Sequence, residues 1–126
     1  PITSKELPGL TVGVMRGSYG QSLLQPYPQV KQALVAEEIH NASKLALGRI
    51  QGWAVAWNSA RYNQQQAGLP LADLVRGDTL QRASLYLAAS PRFPAAEATR
   101  WRKVIATMHD DGSLARIIKQ YDYQAP

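Results

Sequence analysis

The sequence LTVGVMRGSYGQSLL, residues 10–24, contains the signals of a buried strand, a tight glycine-containing turn and the start of a helix. Leu10, Val12 and Val14 alternate with smaller or more polar residues, which is the pattern of a strand. The loop RGSYG follows, and the residues after it contain no helix breaker. A strand-to-helix junction of this kind presents backbone N–H groups and the positive end of the helix dipole at one point. The stretch therefore predicts a corner of an α/β fold that favours an anion such as a carboxylate.

Arg16 lies where this strand ends and can add a guanidinium donor to the same corner. A more ordinary interpretation is also open. Turns of this kind occur in any α/β protein, a single Gly-x-x-Gly is a weak motif, and Ser18 has the side chain of a helix N-cap.

The composition is that of a globular chain of one domain or slightly more. It has 126 residues, of which 45% are hydrophobic and 18% charged. Its net charge of +5 suits an acidic partner, although dispersed charges are equally typical of a solvated surface, and nucleic-acid binding is not expected. The absence of cysteine excludes disulfides and thiolate chemistry. No stretch has the roughly 18 apolar residues of a membrane span. The first residues do not form a signal peptide, so we expect any export signal to lie upstream or to have been removed.

The remaining pattern alternates strands with helices and predicts an α/β fold with a central, mostly parallel sheet flanked by helices. Further strands or extended segments are predicted at residues 29–35, 50–56, 71–75 and 83–89. Further helices are predicted at residues 36–47, 60–67, 95–109 and 113–121. Asn58 or Ser59 is the expected N-cap of the helix at residues 60–67.

Four blocks of the chain, in this order, resemble the type 2 periplasmic solute-binding proteins that serve polar amino-acid uptake. LPGLTVGVMRGSYG is similar to the Val-Gly-Val-x-x-Gly-Ser/Thr segment that begins the second lobe of that family. SKLALGRIQGWAVA is similar to its helix, Gly-Arg turn and strand. SLYLAASPRFP is similar to the strand that returns to the first lobe, and WRKVIATMHDDGSLARIIKQY is similar to the terminal pair of helices.

The resemblance implies one lobe of a periplasmic-binding-protein-like type II fold. Residues 1–9 would be a linker from a missing amino-terminal lobe, residues 10–82 the second, ligand-binding lobe, and residues 83–126 the return strand and the two carboxy-terminal helices. The implied function is that of the substrate-binding component of an ABC transporter. It would bind a small anionic or amino-acid-like solute in the periplasm by hinged closure, and its partners would be the transporter's membrane subunits. An extracytoplasmic sensor module of a membrane receptor is the alternative on the same fold.

The resemblance also implies ligand-binding residues. In the family, a loop matching residues 16–20 provides backbone N–H groups and a hydroxyl to a carboxylate, which here assigns Ser18, Tyr19 and Gly20, with Arg16 at the rim. The second implied contact lies just after the strand that follows the Gly-Arg turn. Family members that bind amino acids have an acidic residue there, which pairs with the ammonium group of the ligand. Residues 56–58 contain no acid, so a buried ammonium would lack a partner, and the resemblance points to an acid without the amine.

Two residues at this second position have side chains that could contact a ligand. Trp57 could stack on a flat ligand and Asn58 could form a hydrogen bond with it, although lobe packing and helix capping are equally simple roles.

Other chemistry has little support in the sequence. His40 and His109 have no carboxylate at ligand spacing, so no metal is expected. No serine stands in a pattern with histidine and an acid, so no catalytic residue, no enzyme activity and no cofactor are expected.

Overall fold

A computed structural model describes residues 1–84 and 86–124 of the chain. The chain divides into two compact units, Pro1–Arg82 and Ala83–Pro126. The first unit contains a parallel three-stranded sheet formed by β1 (Thr11–Met15), β2 (Lys31–Val35) and β3 (Gly52–Trp53). The strand order is β2-β1-β3, so the strand predicted from the opening stretch is the central one. The α/β fold class with a parallel sheet is confirmed.

The helices of the first unit follow the strands along the chain. They are α1 (Tyr19–Leu23), α2 (Ile39–Ala46) and α3 (Trp57–Gln66), and a 3₁₀ turn, Leu71–Asp73, follows α3. The prolines at 26 and 28 do not allow α1 to continue. Gly48 and Gly68 have positive φ angles, and this left-handed backbone ends α2 and α3.

The two faces of the sheet are covered by different helices. Val12 and Val14 of β1 pack with Leu24 at the end of α1 and with Ala54 and Leu7, which together form most of the hydrophobic core. Gly13 faces the opposite side, where Asn41 of α2 contacts it. This arrangement follows from the topology. The chain moves from β1 to β2 and then back across β1 to β3, and right-handed crossovers in opposite directions place their helices on opposite faces.

Several elements differ in extent from their predictions. A strand was predicted at residues 50–56, but β3 contains only Gly52 and Trp53. Gln51 and Ala54, the residues before and after β3, also donate their N–H groups to carbonyls of β1. Helix α3 begins at Trp57, before residue 60, because the Ala60 N–H already donates to the Ala56 carbonyl. Asn58 and Ser59 therefore lie in its first turn, and the prediction that one of them is the N-cap was wrong.

Two predicted extended segments are not strands. Residues 71–73 form a 3₁₀ turn after Pro70. Residues 83, 84 and 86–89 form no strand, and Tyr86 and Leu87 are 86% and 77% exposed. Leu85 lies outside the described residues. An alternating apolar sequence forms a strand where a neighbouring strand accepts its hydrogen bonds, and none of the described residues does so here.

Residues 1–9 belong to the first unit, and two of them pack against its core. Leu7 is buried in the core, Ile2 packs against that core, and the Asp78 N–H donates to the Ile2 carbonyl.

The second unit contains α4 (Ala95–Asp110) and α5 (Ser113–Gln120), close to the predicted bounds. Neither helix has a buried residue. Among the helices that the structure describes, none has both the length and the hydrophobicity needed to cross a membrane.

Candidate functional site

The β1–α1 loop has the predicted shape, and its hydrogen bonds determine which groups a ligand can reach. Ser18 is the N-cap of α1, and its hydroxyl oxygen accepts the Gln21 N–H at 3.2 Å. Gln21 in turn reaches back, and its Oε1 accepts the Gly17 N–H at 2.7 Å. The Ser18 N–H donates to the Met15 carbonyl at 3.1 Å. The loop is therefore held by its own side chains in an arrangement close to a capping box.

Three donors of the loop remain for a ligand. Tyr19 and Gly20 occupy the first two positions of α1, where a helix offers no carbonyl for their N–H groups. The Ser18 hydroxyl accepts a hydrogen bond and still has its own hydrogen to donate. These are the groups that the resemblance assigned. Arg16 and Tyr19 are exposed, and Ser18 and Gly20 are half-buried.

The dipole of α1 is weaker than the sequence led us to expect. Helix α1 has only five residues, so few peptide dipoles are aligned behind its N-terminus. Hydrogen-bond donors and the Arg16 guanidinium, and not the dipole, are the main attraction that this loop offers to an anion.

The second predicted loop lies next to the first. A Cβ placed on Gly20 would stand 2.5 Å from the Ala54 carbonyl oxygen, so the start of α1 touches the backbone that follows β3. Ala54 leads directly into α3, which begins with Trp57 and Asn58. The structure thus brings the two loops together at the carboxyl edge of the sheet, although they are far apart in sequence.

Trp57 has a neighbour that the sequence did not indicate. The guanidinium carbon of Arg76 lies 5.9 Å from the centre of the Trp57 ring, within the range of a cation–π contact. Arg76 follows Trp57 by nearly twenty residues, and no local spacing links them. The contact places a second arginine beside Trp57, in addition to Arg16 of the first loop. Trp57 and Asn58 are both half-buried.

Glu38 joins the start of α2 to the end of β3. Its Oε2 accepts a hydrogen bond from Trp53 Nε1 at 2.8 Å and another from Asn41 Nδ2 at 3.0 Å. This carboxylate holds two elements in place near the same edge of the sheet.

The described residues contain no group of three or more His, Asp or Glu side chains placed to hold a metal ion. Comparisons of the chain with protein-family models, with curated proteins and with solved structures found no match. The family resemblance therefore remains a prediction from the motifs.

Proposed function

We propose that the first unit binds a small anionic solute at the carboxyl edge of its sheet. We propose further that the chain serves as the substrate-binding component of an ABC transporter in the periplasm. The motif order that resembles type 2 solute-binding proteins supports the transport role. In that family the ligand is enclosed by hinged closure against an amino-terminal lobe.

The approach of Gly20 to Ala54 is the observation that carries the ligand site. It places the loop after β1 beside the loop after β3, and these strands are neighbours in the sheet. The chain leaves them toward opposite faces, because α1 leads to Leu24 in the Val12 and Val14 core, whereas α3 packs against α2. In open parallel sheets, ligands bind in the crevice that forms where neighbouring strands connect to opposite faces.

The side chains and backbone groups at this crevice favour a negative charge. Arg16, the Ser18 hydroxyl and the Tyr19 and Gly20 N–H groups are donors, and carboxylates accept such hydrogen bonds strongly. Residues 56–58 offer no carboxylate to an ammonium group. A carboxylic acid without an α-amine is therefore the preferred ligand class, and an amino acid is the second choice.

The test is a calorimetric titration of the intact protein with carboxylic acids and amino acids, after a thermal-shift screen of both sets. Arg16→Gln and Ser18→Ala should each weaken binding of the best ligand by about tenfold, since each removes a donor to a charged group. Ser22→Ala is the matched control, because Ser22 is an exposed serine of the same helix. Unchanged affinity in both variants would exclude this loop as the ligand site.

A further inference from the structure

The outer edge of β2 is a separate feature of the first unit, and none of the six candidate ligand-binding residues lies in this strand. Among the described residues, β2 is the outermost strand on its side of the sheet. The Lys31 N–H donates to the Leu10 carbonyl just before β1, and the Val35 carbonyl accepts the Arg16 N–H just after it. Since alternate residues of a strand in a parallel sheet direct their N–H and C=O groups to opposite sides, Gln32 and Leu34 direct theirs outward. Within the described part of the chain, these two N–H groups donate to no acceptor.

A groove of about 360 Å³ lies beside this edge, along α2. Val35, Ala36 and Leu47 provide its apolar lining, and His40, Lys44 and Arg49 contribute basic side chains. His40, Lys44 and Leu47 share one face of α2, because residues three or four positions apart on a helix are neighbours. All of the lining residues belong to the described part of the chain, and none of them is acidic.

The cations of the groove are not neutralised within the first unit. Among residues 1–84 and 86–124, the structure pairs neither Lys44 nor Arg49 with a carboxylate. Leu47 is 66% exposed. The groove therefore combines an accessible apolar surface with basic groups whose charge is available to an external partner.

We propose that the β2 edge and this groove together bind an extended acidic segment of a partner protein by β-strand addition. The outward N–H and C=O groups of Gln32 and Leu34 form the backbone hydrogen bonds of the added strand. Every second side chain of that strand points toward the face that carries α2. On that face, aliphatic side chains contact Val35 and Leu47, and acidic side chains lie near Lys44 and Arg49.

The backbone groups favour a peptide over a lipid surface. The phosphodiester group of a lipid would interact with the cations, but it has no donor for the outward carbonyls of Gln32 and Leu34, and lipid headgroups that do have donors do not present them at the spacing of a strand. An extended peptide supplies both donors and acceptors at the strand spacing. Anionic vesicles are therefore a comparison in the test and not the expected partner.

The test measures fluorescence anisotropy of a labelled peptide with the repeat Val-Thr-Glu-Thr, titrated with the intact protein at low salt. In this repeat the side chains on one face of the strand alternate between Val and Glu. Binding should saturate and weaken as salt is added, because exposed charges are screened. The matched peptide with the repeat Val-Thr-Lys-Thr should bind at least about tenfold more weakly, since its charges repel the groove. Equal binding of the two peptides would overturn the proposal.

Two pairs of variants separate the backbone edge from the charges. Leu34→Pro removes an outward N–H that the sheet does not use and should weaken peptide binding about tenfold, whereas Leu34→Val keeps it and should bind nearly as the unchanged protein does. Lys44→Gln with Arg49→Gln should weaken binding about fivefold, whereas the control Arg100→Gln with Lys119→Gln, in the second unit, should not.

Amide NMR of the unchanged protein keeps the test independent of whether Leu34→Pro folds. Addition of the Val-Thr-Glu-Thr peptide should shift the amide signals of Gln32 and Leu34 more than those of Lys31 and Ala33, which face β1. Binding that leaves the Gln32 and Leu34 signals unmoved would show an anion site without strand addition and overturn the proposal. The proposal would also be overturned if anionic vesicles bound as strongly as the peptide and the Leu34→Pro variant bound them no more weakly.

Discussion

The Asn41 side chain lies directly against the backbone of Gly13, and a Cβ on Gly13 would stand 2.5 Å from Asn41 Oδ1. Asn41 is fully buried, and its Nδ2 donates to Glu38 at 3.0 Å. Its Oδ1 has no hydrogen-bond partner among the described residues. Gly13 is in the central strand, so the absence of a side chain there allows α2 to pack close to the sheet.

Gly13→Ala should therefore destabilise the first unit by about 1–3 kcal/mol, the usual cost of overpacking a buried site. The added methyl group would also meet Ile50 Cδ1, at 2.6 Å, so some repacking is needed on both sides. Asn41→Ala in the same chain should recover part of this loss, because it removes the nearest atom. Urea denaturation of the two single variants and the double variant measures the coupling, and strictly additive losses would contradict the contact.

Gly20→Ala should also destabilise the protein by about 1–3 kcal/mol, since its Cβ would meet a backbone carbonyl that cannot rotate away. Gly52→Ala is the matched control. Its Cβ would lie 3.4 Å from Ile2 Cδ1, which is an ordinary contact with the end of a flexible side chain. Urea midpoints of the two variants should differ clearly. If both variants were equally stable, the loops after β1 and β3 would not touch as described.

Trp53→Phe should cost about 1 kcal/mol, because it removes the hydrogen bond from Trp53 Nε1 to the Glu38 carboxylate while retaining most of the aromatic ring. Both side chains are half-buried, so solvent screens part of the loss. Trp101→Phe is the control, since Trp101 is 53% exposed on α4. Chemical denaturation followed by circular dichroism compares them. A Trp53→Phe protein as stable as the Trp101→Phe protein would show that the Glu38 bond contributes little.

Asp111 should make the start of α5 sensitive to acid. The Ser113 hydroxyl and N–H both donate to Asp111 Oδ1, and these bonds hold the pKa of the carboxyl below its usual value. The pKa of Asp111 is lower in the folded protein than in the unfolded chain. The ionised carboxyl therefore stabilises α5 at pH values above the unfolded-state pKa, and this stabilisation is lost as the pH falls through the folded-state pKa. Helix content at 222 nm should therefore decrease on acidification below about pH 4.

Asp111→Asn tests this assignment. At neutral pH the variant should have less helix than the unchanged protein, and at low pH the two should become similar. A variant that kept the same acid-dependent step would assign that step to another carboxyl group.

The parts of the fold with strong local signals were predictable. The alternation in residues 10–14 and the turn that follows predicted β1 and the start of α1. The Asp-Asp-Gly sequence at residues 110–112 predicted the break between α4 and α5, which lies at Asp111 and Gly112. Residues 83, 84 and 86–89 show the limit, because a strand depends on a neighbour from elsewhere in the chain, and alternation alone does not supply one.

The sequence contained the signals for the contacts within the β1–α1 loop, but not for all of the contacts around Trp57. The Ser-Tyr-Gly-Gln sequence could have shown that Gln21 turns back onto the loop, since Ser-x-x-Gln is a capping-box pattern. The contact of Arg76 with Trp57 has no such signal. It depends on the path of the chain after α3, which the 3₁₀ turn redirects.

The central position of β1 has a consequence for synthesis on the ribosome. Of the three strands of this sheet, β1 is synthesised first, and it can complete its hydrogen bonds only after β2, which ends at residue 35, and then β3, which ends at residue 53, have followed it. Until then the nascent chain exposes an apolar strand with two unsatisfied edges, which is the kind of surface that chaperones bind and that promotes aggregation. A nascent chain that ends between β2 and β3 would contain β1 paired on one side only. We expect ribosome-associated chaperones to crosslink more strongly to such a chain than to one that already contains β3.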